Sequence, residues 1–460
     1  MLTITCSANY QPERKYICHV LFHEFLGLEY NLTFCEEPFW TIQGTNGKSL
    51  ILPDCLFQVA QDAWLTEASF PPQPLAFWEP QRAGVDCPLV ESTVPVIYGN
   101  LDFHKQYSVR YGEIDKKQTV LPLDILGSAF FMLTRYEEVI KSDRDNHDRF
   151  PATASLAFQE GFLERPIINE YLEILWFYLQ QMITKQRKAR EFTIVPTHDV
   201  DAPYRYRGVS MWTIGRSLAG DLIKRKSPPL FCENIRNILA RKDPYDTFGT
   251  IMDISERVGL ASSFYFMAGG KTPFDPAYSL DKPEIQKIIR RIDKRGHHIG
   301  FHPSYEAGLN QQIWQEELDA LQRAVGDIPL VGGREHFLRF QTPLTWRFWS
   351  ASELVYDTTL SFADRAGFRC GVCYPFQVFD VEQRKMLNIV ERPLVMMECT
   401  VIDERYMHFG PTQEALEYMK MLKKRCSIFY GEFVLLWHNT RFVDEDEIEM
   451  YKILVADDIG

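Results

Sequence analysis

The sequence lacks any uninterrupted apolar run near the ~20 residues that a membrane-crossing helix needs, which excludes a helical membrane span. Its opening, MLTITCSANYQPERKYICHVLFHEFLGL, lacks a basic region followed by a clean apolar core, so no secretory leader is expected. Positive charge is in short supply. A net charge of -12 argues against a general nucleic-acid or acidic-membrane binder, and it would repel an anionic polymer except at a locally basic or metallated site. Close cysteine pairs are also scarce: of ten cysteines only Cys370 and Cys373 are spaced C-x-x-C, and no second pair completes a zinc ribbon. Scattered free thiols fit a reducing, cytoplasmic setting. Internal repeats and low-complexity segments are missing. What remains is ordinary globular composition, 45% hydrophobic and 24% charged over 460 residues, enough for two or three cores.

Residues 1 to about 110 carry short apolar runs broken by Pro, Gly and Asn, such as Leu50-Ile51-Leu52 and Val94 to Tyr98, which read as strands and loops. From Leu121 the pattern becomes that of a mostly buried helix, and a second helix is expected near Pro166 to Met182. Between them, Asp143 to Phe150 reads as a solvated polar loop. The basic run at 185–190 reads as a junction. A basic insertion over Tyr204 to Arg257, with Lys224, Arg225 and Lys226 at its middle, either walls a site or docks the N-terminal region. Beyond it, strands expected at Ser262 to Met267, His298 to His302, Phe337 to Phe340, Leu354 to Tyr356, Val390 to Met397 and Phe433 to His438 alternate with helices at Pro283 to Arg295, from Asn310, and at Thr412 to Lys424. That alternation implies a parallel α/β sheet or barrel.

The chemistry gathers at strand ends. Thr193 to Val200 is β-prone and closes on Asp199 and Asp201, two apart and therefore on one face. Paired carboxylates share a proton or hold a cation, while the plainer reading is a cap and a turn residue. His302 stands where Pro303 breaks the next strand, and imidazole with carboxylate suits zinc and similar ions. His298 shares its side but ranks below it. Arg334 to Phe340 offers His336 and two arginines, and an arginine beside a carboxylate fixes its charge and orientation. The apolar run Leu435-Leu436-Trp437 ends in His438, placed to donate a proton near neutral pH. Together these groups fit a metal-assisted hydrolase.

Over about residues 190 to 445 the series resembles the NodB-homology polysaccharide deacetylases, carbohydrate esterase family four. Thr197-His198-Asp199-Val200-Asp201 is similar to that family's first motif, Gly296 to His302 to its second, and Arg339-Phe340-Gln341-Thr342-Pro343 to its Arg-x-Pro segment; Tyr356-Asp357-Thr358-Thr359-Leu360 and Leu435-Leu436-Trp437-His438 follow in order. The resemblance implies a deformed (β/α) barrel with a smaller N-terminal α/β domain, divided as 1–185 and 186–460. The N-terminal part, of unknown role, resembles an extra domain of a bacterial subgroup linked to capsule or surface-polysaccharide building. It implies Asp199 as base, Asp201 and His302 as ligands of a divalent metal, zinc foremost, Arg339 as orienter of the base and His438 as general acid. The substrate implied is an N-acetylated sugar in a glycan or its precursor. Where the family carries a second metal histidine this chain has Glu306; His336, Glu306 or a degraded site are the alternatives, and His336 is favoured. A catalytically idle glycan-binding or scaffolding protein, or an amidase on a non-sugar substrate, are the competing expectations.

Overall fold

A computed structural model describes residues 1–207, 211–223, 228–240, 242–275 and 278–456; Lys224, Arg225 and Lys226 lie outside them. The chain is mixed α/β and builds two main sheets. The first takes its strands from residues 2–120: β1 (Leu2–Ser7), β2 (Tyr30–Cys35), β3 (Phe39–Gln43), β4 (Ser49–Pro53) and β5 (Gln118–Val120), in the order β2-β1-β3-β4-β5. Three helices accompany it, α1 (Gln11–Cys18), α2 (Ile125–Leu133) and α3 (Ile167–Leu179). α2 is buried at every position, as its run of apolar residues requires, and Asp124 starts it by accepting the Gly127 N–H at 2.8 Å. Among the described residues no helix is long and apolar enough to cross a membrane.

The second sheet has nine strands: β6 (Thr193–Val200), β7 (Ser263–Phe266), β8 (His298–Phe301), β9 (Leu330–Gly333), β10 (Tyr356–Asp357), β11 (Phe376–Asp380), β12 (Lys385–Glu391), β13 (Met396–Met397) and β14 (Glu432–Leu436). Their order is β11-β12-β10-β9-β8-β7-β6-β14-β13, and every pair is parallel except β11 with β12. No pairing joins β11 to β13 among the described residues, so closure of the sheet is not part of its hydrogen bonding. Tyr265 on β7 and Tyr356 on β10, three strand steps apart, lean across the glycines of β8 and β9 and touch through their hydroxyls at 3.1 Å. Glycine makes room on the concave side: a Cβ on Gly300 would meet the Tyr265 ring at 2.5 Å, and one on Gly332 the Tyr356 ring at 2.6 Å.

Helices cover the convex side. α4 (Pro283–Lys294) buries Ile285, Ile288, Ile289 and Ile292, and α5 (Gln311–Val325) starts on Asn310, whose side chain accepts the Gln312 and Ile313 N–H groups. A further helix, α7 (Glu445–Val455), follows α6 (Gln413–Ile428) and packs Tyr451 behind β6. The helices expected from the sequence stop at Thr412 to Lys424, and this is corrected: the acidic stretch Glu445-Asp446-Glu447 opens α7, where its charges suit a helix N-terminus. A second correction concerns the strand expected at Phe337 to Phe340. The strand there is β9, seven residues earlier, and His336–Leu338 is a short 3-10 turn in which Phe337 and Leu338 both have positive φ.

Pro196 sits inside β6, where proline is normally excluded. The Thr193 N–H and Thr197 carbonyl both bond toward β14, so the nitrogen of Pro196 faces β7, and β7 pairs only from Thr197 onward. The missing N–H therefore breaks no ladder bond.

Candidate active site

Five strand ends or the turns just beyond them deliver the polar residues. Alternation along β6 puts Val195, Thr197 and Asp199 on the concave face, with Asp201 one step past the strand, while His198 and Val200 face the helices. His302 follows β8 directly, Arg334 and His336 follow β9, Glu398 and Cys399 follow β13, and His438 follows β14. These five strand ends are all C-terminal ends of parallel strands, where α/β folds collect their chemistry.

Asp201 is the centre. Its Oδ1 lies 3.2 Å from His302 Nε2 and 3.8 Å from His336 Nε2, and its Oδ2 lies 3.6 Å from His438 Nε2. Asp201, His302 and His336 each offer a ligand atom within 4.8 Å of the others. Asp201 Oδ1 and His302 Nε2 are shielded from solvent with no hydrogen-bond partner, an unfavourable state for buried polar atoms unless something else is meant to meet them. The far nitrogen of each histidine has an acceptor nearby. His302 Nδ1 meets the Arg334 carbonyl oxygen at 2.6 Å, and His336 Nδ1 faces Asp275 Oδ1 at 3.4 Å, a charge contact without hydrogen-bond geometry. Both rings thus aim Nε2 at Asp201, the arrangement that fixes the tautomer of metal-binding histidines. Burial would raise the Asp201 carboxyl, but His336, His302 and His438 around it outweigh that and hold it well below the usual carboxylate range. Burial likewise disfavours charge on His302, yet the Asp199 and Asp201 carboxylates push its pKa above the ordinary value.

Asp199 is buried beside this trio, its Oδ2 3.9 Å from His302 Nε2. Its Oδ1 accepts from Arg334 Nη1 at 2.9 Å. The same guanidinium donates Nη2 to Thr197 Oγ1 at 2.9 Å and Nε to the Thr358 carbonyl at 3.0 Å, and it is fully buried. The expectation for Arg339 is therefore corrected. Arg339 donates to Asp148 Oδ2 and to the carbonyls of Tyr305 and His147, away from Asp199. The cause is the misplaced strand: Arg334 stands one residue past β9, as His302 stands one past β8, whereas Arg339 lies beyond the 3-10 turn. Glu306 lines a separate cleft with Gly269, Lys271 and Glu316, and His298 is exposed at the far end of β8, so neither reaches Asp201.

His438 closes the opposite side. Its Nδ1 lies 2.5 Å from Glu398 Oε1, which also accepts the His438 backbone N–H at 3.1 Å. Burial would discharge the ring, but the Glu398 carboxylate raises its pKa well above the ordinary value. Glu398 was not singled out from the sequence, nor was Asp275. A signal existed for Glu398, since Met396-Met397 is apolar and ends in Glu as the other strands end in Asp or His. None existed for Asp275, which lies in a loop.

Asp199, Asp201, His336 and His438 open onto a small cleft of about 120 Å³, whose far wall includes Arg149 and Tyr406. Arg149 belongs to the loop read from sequence as solvated. It is buried, pairs with Asp145 and donates Nη1 to the Phe337 carbonyl at 2.9 Å. Left-handed backbone at two consecutive non-glycine residues costs on the order of 1–3 kcal/mol each. Arg149 thus clamps the turn that aims His336.

Residues 2–184 match a family described as a family of unknown function, DUF7033. None of the curated proteins matches the chain. Among solved structures, a protein described as a polysaccharide deacetylase from Mycobacterium smegmatis is 16% identical, with 58% of this chain and 84% of that one covered at a TM-score of 0.39. PuuE allantoinase is 11% identical over 58% and 83% at 0.36, and a protein from Pseudomonas aeruginosa described as a polysaccharide deacetylase is 13% identical over 58% and 84% at 0.34. Likeness at this level leaves the reading of the site to the chain's own geometry.

Proposed function

We propose that the chain is a metal-dependent hydrolase that removes an acetyl group from an N-acetylated sugar in a surface polysaccharide or its precursor. In this reading the second sheet is a deformed (β/α) barrel, the chain divides near residue 186, and the N-terminal part braces the site through Arg149. The observation that carries the proposal is the convergence of Asp201 Oδ1, His302 Nε2 and His336 Nε2 on one point, the first two buried without hydrogen-bond partners, between a clamped carboxylate and an imidazole.

One carboxylate and two imidazoles, each imidazole fixed from behind, fit a divalent ion of the zinc type. Such an ion, when bound, supplies Lewis-acid polarisation of an amide carbonyl and acidification of water. The protein does the rest. Asp199 is oriented by Arg334, which occupies Oδ1 and leaves Oδ2 to take a proton from the attacking water. His438, its pKa raised by Glu398, stands across the cleft to protonate the leaving amine through Nε2. Leu338, Met397 and Leu436 give the cleft an apolar wall that accepts a methyl group and excludes bulk water.

The test joins metal analysis to acetate release on a panel of N-acetylated sugars and glycans. One tightly held divalent ion per chain and release of acetate are expected, with turnover falling by ~10²–10⁴ in Asp199→Asn while sugar binding persists. Protein that holds no metal and frees no acetate from any panel member sinks the proposal. Sugar binding without turnover in the metal-loaded protein would turn the reading to a glycan-binding one.

A further inference from the structure

Three donors on the other wall of the cleft form a second group. Glu398, Cys399 and His438 offer Oε1, Sγ and Nδ1 within 4.8 Å of one another. The separations are 3.3 Å from Sγ to Oε1, 3.9 Å from Sγ to Nδ1 and 2.5 Å from Nδ1 to Oε1. Around a tetrahedral zinc with bonds of about 2.0–2.3 Å, sulfur would lie about 3.5 Å from either other donor, and nitrogen and oxygen about 3.3 Å apart. Only the Nδ1 to Oε1 pair needs to open, by less than 1 Å, and it is the pair that now shares a proton.

A second observation points the same way. Glu398 is fully buried and its Oε2 has no hydrogen-bond partner, so the carboxylate keeps an unused ligand atom while Oε1 meets the thiol and the imidazole. Cys399 itself is half-buried and lines the cleft, within reach of a solvent ion. Burial pushes its thiol up to about 12, so without an ion it is neutral and a poor nucleophile. A soft thiolate with imidazole and carboxylate selects zinc and its neighbours over magnesium or calcium.

We infer that Glu398, Cys399 and His438 form a second site, for a thiophilic divalent cation of the zinc type, and that its occupation inhibits the protein. Binding replaces the proton on His438 Nδ1 and the Cys399 S–H proton, so two protons leave to solvent for each ion taken up. His438 then keeps a proton only on Nε2 of a neutral, metal-bound ring, a far weaker acid than the imidazolium. The inhibition rests on the proposed role of His438; the ion site does not.

Metal-free protein titrated with cobalt(II) alone separates the two. Two equivalents are expected. The second brings a thiolate-to-cobalt charge-transfer band in the near ultraviolet, absent in both Cys399→Ser and Cys399→Ala, which still bind the first equivalent. A single equivalent in the wild type, a second without the thiolate band, or a band that survives in both variants overturns the site. In the kinetic arm, excess zinc is expected to lower acetate release at least tenfold in the wild type, and Cys399→Ser to need at least tenfold more zinc for the same loss. Acetate release unmoved by excess zinc overturns the inhibition. If the thiolate band appears as expected yet no acetate is released under any condition, the ion site stands and the deacetylase reading falls.

Discussion

The charged cluster at the junction of the two sheets and the one in the cleft differ in completeness. At the junction of the two sheets, Arg135 donates to Glu137 at 2.7 Å and Glu138 at 2.8 Å, while Arg369 grips both oxygens of Glu138 at 2.9 and 2.6 Å and reaches the Ser361 carbonyl at 2.8 Å. Glu137 uses its remaining oxygen on the Leu156 N–H. None of these side chains leaves a buried polar atom without a partner. In the cleft, Asp201 Oδ1, His302 Nε2, His336 Nδ1 and Glu398 Oε2 are left unmet. Unmet buried atoms also occur away from the cleft, at Arg14 and Asp54 among others, so what sets the cleft apart is that Asp201, His302 and His336 bring ligand atoms within 4.8 Å of one another.

The junction is where a single change should cost most stability. Glu138→Gln leaves two buried guanidiniums short of their counter-charge and is expected to destabilise by about 3–5 kcal/mol in urea unfolding. Burial opposes ionisation of Glu138, but Arg369 and Arg135 lower its pKa from 4.5 to about 2. A carboxylate depressed on folding stabilises fully above its unfolded value and loses that contribution as pH falls from about 4.5 toward 2. Acid unfolding of the wild type should steepen in that window, and Glu138→Gln should remove the effect; equal pH profiles for the two proteins would show that the junction is not saturated as described.

In the cleft the arginines supply the next contrast. Arg334→Lys loses the planar fork that binds Asp199 and Thr197 together and should lower turnover by ~100-fold or more. Arg339→Lys alters a rim pair with the exposed Asp148 and should change turnover less than about threefold and stability by under about 1 kcal/mol. Reversal of that order would restore Arg339 as the orienter.

Smaller still is the effect expected behind His336. Asp275→Asn keeps the shape but weakens the hold on Nδ1, and metal affinity, read by competition with a chromophoric chelator, should fall ~10–100-fold. Unchanged affinity would make Asp275 a purely local partner. Its carboxyl is disfavoured by burial yet held well below the usual range, His336 first among the causes, which is the contact the variant removes.

Much of the large sheet was legible because its strands are short apolar runs that stop on a polar residue, and Asp199, His302 and His438 can be located by that stop alone. The reading failed where the apolar run was misleading. Phe337-Leu338 looks like strand, but a left-handed turn held from outside by Arg149 occupies it, and the true strand is the inconspicuous Leu330-Val331-Gly332-Gly333. That displacement moved the arginine by five residues. The Asp143 to Phe150 loop was polar and therefore read as solvated, since nothing local reveals that Arg149 is buried against a turn 188 residues away.

The sequence by itself determined the alternation of strands and helices and the residue types that close the strands, because side-chain period and strand-breaking chemistry are local. Only the tertiary structure decided which of those residues meet. The packing of the strand ends brings Asp201 to His302, His336 and His438, selects Arg334 over Arg339, and adds Glu398 and Asp275 behind the imidazoles. Distances across a sheet depend on every strand between, and no short stretch of sequence encodes them.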